Sequence, residues 1–424
     1  IFGTGVVTLG NVFYITPNLV SVTIGPDVTT IGSLVGYAEK LTTITLDSGN
    51  TTFYVDNDIL YKKVGANNMH TLVQYPVGRT EVTYIIPNTV VIIKESAFDK
   101  ALNITSLEVP ASVTTIGHES FMGSASLDTV TFASSGSVLV SIGRQAFQYT
   151  ALTSIEIPAS VAEIGNYAFY QCSDLATVTF AAGSTLTTIG DGAFTLTAIT
   201  SIIIPASVTT IVRYAFSECD SLATVTFAAG STLATIGEHA FARNGFTSIV
   251  IPASVTNIGY QAFNGCTSLA SVTFIESTDG AAGITFGTEV FLNASALTTI
   301  FIKDGQKLDG TAYSTGSSYS LSGSSSVPFK SYEIAGSGVF ELSDYTGADS
   351  PPYAVLTNTS TGWTSIGNSA FSGRAITSIV IPASVTSIGT YAFYQCSSLT
   401  SVIFDAGSQL TSIGGNAFQY TGLI

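Results

Sequence analysis

A five-residue phrase recurs along this chain at a nearly constant interval. IPASV begins at Ile157, Ile204, Ile251 and Ile381, and VPASV begins at Val109. A second marker, a phenylalanine in the pair AF or a close variant, recurs at gaps that mostly alternate between 22 and 25 residues: Phe98, Phe121, Phe147, Phe169, Phe194, Phe216, Phe241, Phe263, Phe291, Phe371, Phe393 and Phe418. Two unlike units of about 23 residues therefore form a pair of about 47 residues.

The first half of one unit reads as a short strand that ends at a corner. In the unit Ala151–Ser173, Leu152, Ile155 and Ile157 are expected on one side of an extended segment, because side chains alternate along a strand. Pro158 has no N–H and restrains its neighbour to extended geometry, so the strand should end there.

The second half of the unit contains a shorter apolar segment and a tight turn. Val161 and Ile164 form this segment, and Gly165 is expected to allow a turn with positive φ. The residues Ala168–Cys172 place apolar side chains at near-helical spacing, which predicts about one turn of helix.

A unit of about 23 residues cannot bury its apolar side chains alone, but stacked copies can. Each strand would then pair with the same strand of the next coil, and like residues would form ladders through a continuous core. The spacing predicts a solenoid of at least twelve coils with a parallel β-sheet along one face.

The consensus L-T-S-I-x-I-P-x-S-V-T-x-I-G-x-x-A-F-x-x-C resembles the BspA-like, or Treponema-type, leucine-rich repeat over roughly residues 19–302 and 363–424. The stretches Phe53–Lys63, Thr71–Arg79 and Tyr84–Phe98 resemble the hairpin-forming insertion of such proteins. The resemblance implies a right-handed leucine-rich-repeat solenoid, mostly β and irregular. It would have a parallel sheet on one face and short strand or turn-of-helix segments on the other.

Three regions follow from the repeats. Residues 1–302 are predicted as a first repeat block, with a hairpin insertion at about 53–84. Residues 303–361 form a Ser/Gly-rich segment without repeats, either a loop and small hairpin that joins two blocks or a displayed binding element. Residues 362–424 are a second block. Because the chain stops within a repeat, we expect this block to be truncated and the chain to be a fragment.

The four cysteines are predicted as structural core residues with free thiols. Cys172, Cys219 and Cys266 are spaced 47 residues apart, and Cys396 has the same position in its unit. Neighbouring cysteines would lie two coils, about 10 Å, apart, beyond the ~7 Å that a disulfide spans. No histidine or second cysteine shares the position to complete a zinc site, and no cation stands beside Cys172 or Cys396 to activate a thiol.

Charge and motifs argue against several function classes. The net charge is −15, and the 13 Lys and Arg residues are not clustered, which disfavours nucleic acid and anionic membrane surfaces. No apolar run reaches the ~18–20 residues of a transmembrane segment.

The histidines His70, His118 and His239 are expected in exposed turns, and Asp56–Asp58 is expected to shape a turn rather than bind calcium. We predict no catalytic residue, no metal and no cofactor, and therefore no enzyme.

The outward face of the predicted sheet is the candidate binding face. Its side chains are small, mostly uncharged and rich in hydroxyl and methyl groups: Ser154, Glu156, Thr177, Thr179, Ser201, Ile203, Thr224, Thr226, Ser248, Val250, Ser271 and Thr273. Two interpretations stay open. The face is a broad docking area for protein or glycan, or it is a solvated face whose residues simply favour strands.

The family resemblance implies a surface protein that attaches to molecules of a host or of neighbouring cells. We therefore expect a non-enzymatic, cell-surface or secreted binding or adhesion module whose partner is a protein or glycan on another cell or matrix. The alternative is a structural subunit that assembles head-to-tail with copies of itself into a filament, sheath or surface layer.

Overall fold

A computed structural model describes residues 5–423 apart from 11, 15, 37, 66–67, 276–283, 303–306, 309–310, 313–317, 321–325, 332, 341–352 and 406. The described residues form short strands and turns, and none of them is helical. The N-terminal part contains β1 (Thr8–Leu9), β2 (Phe13–Tyr14), β3 (Ser21–Ile24), β4 (Thr30–Ile31), β5 (Val35–Gly36), β6 (Thr43–Leu46), β7 (Phe53–Asp56), β8 (Ile59–Val64) and β9 (Met69–Gln74).

The regular repeats contribute the next strands: β10 (Thr83–Ile85), β11 (Val90–Ile93), β12 (Ser106–Val109), β13 (Thr115–Ile116), β14 (Thr129–Phe132), β15 (Ser141–Ile142), β16 (Ser154–Ile157), β17 (Glu163–Ile164), β18 (Thr177–Phe180), β19 (Thr188–Ile189), β20 (Ser201–Ile204), β21 (Thr210–Ile211), β22 (Thr224–Phe227), β23 (Thr235–Ile236), β24 (Ser248–Ile251), β25 (Asn257–Ile258), β26 (Ser271–Phe274), β27 (Thr285–Phe286) and β28 (Thr299–Ile302).

The C-terminal part contains β29 (Lys307–Leu308), β30 (Thr311–Ala312), β31 (Ser318–Ser320), β32 (Ser326–Ser331), β33 (Glu333–Phe340), β34 (Tyr353–Ile366), β35 (Ser378–Ile381), β36 (Ser387–Ile388), β37 (Ser401–Phe404) and β38 (Ser412–Ile413). The chain divides into two compact units. Unit 1 is Ile1–Phe246, Ser254–Thr267 and Phe286–Ala294, and unit 2 is Thr247–Ala253, Ser268–Thr285 and Ser295–Ile424.

In unit 1 each regular coil gives one strand to each of two parallel sheets. Sheet A contains β10, β12, β14, β16, β18, β20 and β22, and sheet B contains β11, β13, β15, β17, β19, β21, β23 and β25. Equivalent residues lie side by side, as Ser154 does with Thr177 and Ile157 with Phe180. The predicted leucine-rich-repeat solenoid is therefore confirmed.

A third ladder closes each coil. We call the segment from the residue after the repeat glycine to the third residue after the repeat phenylalanine the turn edge, as in 166–172. Alternate N–H groups cross to the next coil: Tyr167 donates to the Asp191 carbonyl at 2.7 Å, and Phe169 donates to the Ala193 carbonyl at 2.8 Å. This pattern needs left-handed residues, and Tyr167 and Gln171 have φ of 58° and 57°. Successive turns and cross-coil bonds thus stand where the spacing suggested a turn of helix.

The core of unit 1 contains a column of stacked phenylalanine rings. From Phe98 to Phe291 successive ring centroids lie 4.9–5.7 Å apart, with interplanar angles of 2–22°. Unit 2 has its own column, in which Phe393 lies 5.0 Å from both Phe371 and Phe418. Stacking of this kind adds to the free energy of burial, so the repeat phenylalanine fixes the spacing of the coils.

The repeat glycine has a different role from the one the sequence suggested. Gly165 does not have a positive φ. A Cβ built on it would lie 2.7 Å from the backbone N of Arg144 in the preceding coil. The glycine is needed because two backbones approach closely, not because the turn is left-handed. The same holds for Gly117, Gly190 and Gly237, whereas Val212 occupies this position in one coil.

Three antiparallel strands extend sheet B at its N-terminal side. β7 pairs with β8 and β8 with β9, and β9 pairs in parallel with β11. Asn57 and Asp58, with φ of 47° and 62°, form the turn between β7 and β8. Before this insertion, β1 pairs with β4, β2 with β5 and β3 with β6, all in parallel.

In the segment 303–361 the described strands include both hairpins and parallel pairs. β29 pairs with β30 and β31 with β32, both antiparallel. β33 pairs in parallel with β34, and β34 pairs in parallel with β35 and β36. The backbone from Tyr353 onward is thus in register with the repeats of unit 2, although its sequence lacks their markers. The remaining residues of this segment lie outside those described, and a displayed binding element there stays a prediction.

Candidate functional site

Two columns of outward side chains define the exposed surface of sheet A. The first column is made only of hydroxyl residues, which the strand pairing places side by side in seven successive coils: Thr83, Ser106, Thr129, Ser154, Thr177, Ser201 and Thr224. All but Ser106, which is half-buried, are exposed. The face therefore presents one hydroxyl group per coil at a spacing of about 4.8 Å.

The second column is more varied: Ile85, Glu108, Thr131, Glu156, Thr179, Ile203 and Thr226. Glu108 and Glu156 are its charged members, and Ile203 is 53% exposed. The two columns together form a flat surface with few charges, suited to contact over area rather than to chemistry at a point.

The structure places most of the predicted face residues at the surface. Ser154, Glu156, Thr177, Thr179, Ser201, Ile203 and Thr224 are exposed, and Thr226 is half-buried. These residues share the two columns of sheet A in unit 1. Ser248, Val250 and Ser271 belong to β24 and β26 of unit 2 and are half-buried.

Thr273 was wrongly assigned to the accessible face. Its side chain is fully buried, as are its neighbours Val272 and Phe274. The alternation of buried and exposed residues fails in this strand because both of its sides are covered. Because the side chain is fully buried, the Thr273 hydroxyl cannot contact a ligand.

The cysteines are all free and buried, and each one hydrogen-bonds to a backbone carbonyl. The Cys172 thiol donates to the Phe147 carbonyl of the preceding coil at 3.0 Å and lies 3.3 Å from the Thr150 hydroxyl. Cys219, Cys266 and Cys396 contact the corresponding phenylalanine carbonyls at 3.1, 3.1 and 2.9 Å. Each thiol thus caps a backbone carbonyl of the phenylalanine column with a hydrogen bond, in addition to filling apolar space in the core.

Burial keeps these thiols protonated. It raises the pKa of Cys172 and of Cys219 to about 11 and that of Cys266 to about 12, and it raises the pKa of Cys396. A nucleophilic cysteine needs the opposite shift.

The sequence prediction did not include this hydrogen bond, because it considered the four cysteines alone and not the other residues at the same position of the repeat. The residue three after the repeat phenylalanine is a hydrogen-bond donor in most coils: Ser124, Thr150, Cys172, Thr197, Cys219, Asn244 and Cys266. The Ser124 hydroxyl donates to the Phe98 carbonyl at 2.8 Å, and the Asn244 amide donates to the Phe216 carbonyl at 2.9 Å. Reading this position across coils would have revealed the shared donor.

The histidines differ in their surroundings. His118 is exposed, and its Nδ1 accepts the Arg144 N–H at 3.0 Å. His70 was wrongly expected in an exposed turn, since it is buried in β9 against Tyr54 and faces the Thr89 hydroxyl at 3.1 Å. His239 lies on the turn edge, stacked on a tyrosine.

The described part of the chain lacks two further kinds of feature, a metal-binding cluster and a membrane-spanning helix. It contains no group of three or more His, Cys, Asp or Glu side chains able to hold a metal ion. It also contains no helix that could cross a membrane.

Comparison with known proteins gives one sequence match. The family described as BspA type leucine rich repeat region matches in six copies over residues 91–223, 187–320 and 357–424, more than half of the chain. No curated protein matches this chain in sequence.

Several solved structures are similar in part. A leucine-rich repeat protein from Bacteroides ovatus is 24% identical, with 87% of this chain and 92% of that chain covered and a TM-score of 0.44. A leucine rich cell surface protein from Faecalibacterium prausnitzii is 26% identical, with 85% and 96% covered and a TM-score of 0.38. The pneumococcal vaccine antigen PcpA is 18% identical, with 85% and 98% covered and a TM-score of 0.46.

Proposed function

This chain belongs to the BspA-type leucine-rich repeat family, and on that basis we propose that it is a non-enzymatic binding module of the cell surface or the secreted fraction. Sheet A of unit 1 is its docking face, and the partner is a protein or a glycan on another cell or in a matrix. A repeat frame does not specify a function by itself, so the proposal depends on the surface that the frame presents.

The observation that carries the proposal is the in-register hydroxyl column of sheet A. Thr83 and Thr224 mark its two ends, and seven hydroxyl groups follow one another without a charged residue between them. A partner along this column would meet few charged groups: Asp128, whose carboxylate accepts the Thr129 hydroxyl at 2.7 Å, and the two glutamates of the second column. Little water would therefore have to be removed from charged groups, which is the costly step in forming an interface. Hydroxyl groups both donate and accept hydrogen bonds, so they suit protein and glycan partners alike.

The test is binding to a printed array of extracellular-matrix proteins and glycans. In the face variant, Ser154→Arg is combined with Thr224→Arg, which puts bulk and charge at two exposed points of the column. The control variant combines Ala182→Arg with Ala229→Arg, two exposed positions in the loops that follow β18 and β22. We expect the wild type and the control to bind the same array components, and the face variant to lose them.

Two results would contradict the proposal. One is equal binding by the face variant and the control variant. The other is a chain that binds no array component but forms uniform filaments in electron micrographs, which would instead support the structural-subunit hypothesis.

A further inference from the structure

We propose that the turn edge of unit 1 is a second binding surface, whose ligand is a neutral polysaccharide chain. The proposal rests on the assignment of the chain as a binding module, but it concerns another face and names the ligand class. The surface consists of six aromatic side chains on the turn edges of the coils from Gln145 to Gln261: Tyr149, Tyr167, Tyr170, Tyr214, His239 and Tyr260.

The aromatic residues are unevenly distributed over the surface of the regular coils. The two outward columns of sheet A contain no aromatic side chain, whereas Tyr149, Tyr214 and Tyr260 on the turn edge are 46, 37 and 39% exposed. A partly exposed ring held by its neighbours offers a large contact area and loses little conformational entropy on binding.

The first group of rings covers three coils. Tyr170 makes edge-to-face contacts with Tyr149 and Tyr167, at centroid distances of 6.0 and 5.7 Å. The Tyr167 hydroxyl donates to Asp191 at 3.2 Å, and its ring lies where a Cβ of residue 192 would stand. Gly192 therefore allows the Tyr167 ring to cover the next coil, so the aromatic surface continues across a coil whose own turn edge has no aromatic residue except the buried Phe194.

The second group of rings covers the next three coils. The His239 ring stacks on the Tyr214 ring at 4.8 Å with an interplanar angle of 4°, and the Tyr260 ring meets His239 edge-on at 5.4 Å. The Tyr260 hydroxyl accepts the Gln261 amide at 2.6 Å and donates to Glu289 at 3.3 Å. These contacts fix the rings before any ligand arrives.

The backbone conformation of the turn edge accepts several residue types at the aromatic positions. Tyr149, Tyr167, Tyr214 and His239 have φ of 51–60°, a region where glycine has no steric penalty and other residues do. Equivalent positions of other coils hold glycine, as at Gly123, Gly192 and Gly265. Other coils hold Glu119, Leu196 and Arg243 at equivalent left-handed positions, so the fold does not require an aromatic side chain there and the rings are available for another role.

The groups around the rings favour a carbohydrate over a peptide or an ion. Exposed or half-buried amides, such as those of Asn166, Gln171 and Asn264, lie on the same turn edges. Rings that can pack on the C–H face of a pyranose, with amides that can bond its hydroxyls, match the mixed apolar and polar surface of a sugar. Successive coils rise by about 4.8 Å, close to the length of one sugar residue in an extended polysaccharide.

The charges on this edge balance, with three arginines and three carboxylates on the turn edges from 144 to 266, which favours a neutral chain. Arg213 donates to Asp191 at 2.8 Å, and Arg243 lies 3.4 Å from Glu218. Neither sign dominates the surface, so an acidic or basic polymer would find no complementary field.

Unit 2 contains the same local arrangement. Its Tyr394 ring meets Tyr391 and Tyr420 edge-to-face at 5.2 and 5.5 Å. The phrase YAFYQCS at 167–173 recurs at 391–397, so its two tyrosines form an aromatic platform in each unit, while its Phe and Cys serve the core.

The test is affinity electrophoresis in native gels that contain soluble xylan, mixed-linkage β-glucan, galactomannan or starch, with alginate as the acidic comparison. The ring variant combines Tyr170→Gln with Tyr214→Gln. Gln148 and Gln145 hold the equivalent positions of another coil, so the fold accepts glutamine there. The matched control replaces the same two tyrosines by phenylalanine, which keeps the rings. Equal urea midpoints would verify that all variants fold.

We expect at least one neutral polysaccharide to retard the wild type, and the ring variant to bind about tenfold more weakly. The phenylalanine control and the sheet A face variant should bind like the wild type, which separates this site from the one on sheet A. Three results would overturn the proposal: no retardation by any neutral polysaccharide, equal retardation of the ring variant, or stronger retardation by alginate.

Discussion

The outward face of sheet A and the turn edge of unit 1 come from the same coils, yet they restrict their side chains very differently. On sheet A the backbone is extended, and Ser, Thr, Glu and Ile all occur there. On the turn edge each coil has two left-handed residues, and just before it lies the repeat glycine, where a Cβ would meet the preceding backbone. In most coils the last residue of the turn edge is a buried hydrogen-bond donor, as Cys172 is. The turn edge still holds many residue types, since Glu, Gln, Leu, Arg, Tyr and His all occupy its left-handed positions, but each non-glycine residue there carries a steric penalty.

The difference changes how much a residue's identity reveals. A threonine on sheet A is explained by strand preference alone, so the hydroxyl column is weak evidence until binding is measured. A tyrosine at a left-handed turn position is disfavoured by about 1 kcal/mol relative to glycine. Glu119, Leu196 and Arg243 carry the same penalty at equivalent positions, so the penalty alone does not single out the tyrosines, and binding has to be measured here too. The following predictions test the contrast.

The largest effect is expected from Gly165→Ala. The added Cβ would lie 2.7 Å from the Arg144 backbone, so two coils must separate, at a cost of about 3 kcal/mol in the free energy of unfolding. The control is Gly183→Ala, where the space is open and φ is +76°. It should cost about 1 kcal/mol, and urea denaturation measures both. Equal stabilities would mean that the coils adapt, as they do at Val212.

A smaller, pH-dependent effect is expected from Asp99→Asn on the same edge. Asp99 is buried and its Oδ1 lacks a hydrogen-bond partner among the described residues. Burial raises its pKa to about 6, with an opposing effect of Lys100 and a reinforcing effect of Glu119. Because the folded pKa exceeds the unfolded one, the wild type loses stability as pH rises from about 4 to 6.

Asp99→Asn should therefore be more stable than the wild type by about 2 kcal/mol at pH 7, and equal to it near pH 3.5. Chemical denaturation at a series of pH values measures the difference. A constant difference across pH would show that the Asp99 carboxyl is not the titrating group.

Cys172 allows the hydrogen bond to be separated from packing. Cys172→Thr supplies a hydroxyl donor like those of Thr150 and Thr197, which bond the phenylalanine carbonyl of their own coil, whereas Cys172→Val has the shape of the Thr variant and no donor. We expect the Val variant to be less stable than the Thr variant by about 1 kcal/mol in urea denaturation. Equal stabilities would support the simpler view of the cysteine as an apolar residue.

The smallest effect is expected on sheet A. Thr177→Val removes an exposed hydroxyl and keeps a β-branched side chain, so stability should change by less than about 0.5 kcal/mol. The urea midpoint measures it. A loss as large as that of Cys172→Val would show that the hydroxyl column also stabilises the fold.

The fold was predictable because its main constraint is the spacing of the repeats, which can be seen along the sequence itself. The spacing of the phenylalanines and of the IPASV phrases predicts stacked parallel coils, and the ring column from Phe98 to Phe291 confirms them. The turn edge was less predictable. Its spacing of apolar residues resembles a helix, but bonds to the next coil take its N–H groups, and such non-local bonds leave no local signal. The role of Gly165 was wrongly predicted for the same reason, since the backbone atoms that a Cβ there would contact belong to the preceding coil.

The candidate site was predictable only in part. Alternation along the strands placed Ser154, Thr177 and Ser201 on one exposed face, and their role in binding stays a prediction. Alternation fails at Thr273, where the second side of the strand is covered by a contact that no local pattern encodes. The aromatic turn edge was missed because its six rings are distant in sequence and become neighbours only through stacking.

The parallel, coil-by-coil register has a consequence for how such chains change over generations. Because each coil bonds only to adjacent coils, a full pair such as 174–220 could be inserted or removed in frame without altering the contacts of the others. Recombination between near-identical stretches, such as the IPASV phrases that begin at Ile157, Ile204 and Ile251, can therefore lengthen or shorten the repeat array in whole pairs. The length of the repeat array could then be adjusted by gene duplication, with no new core to form.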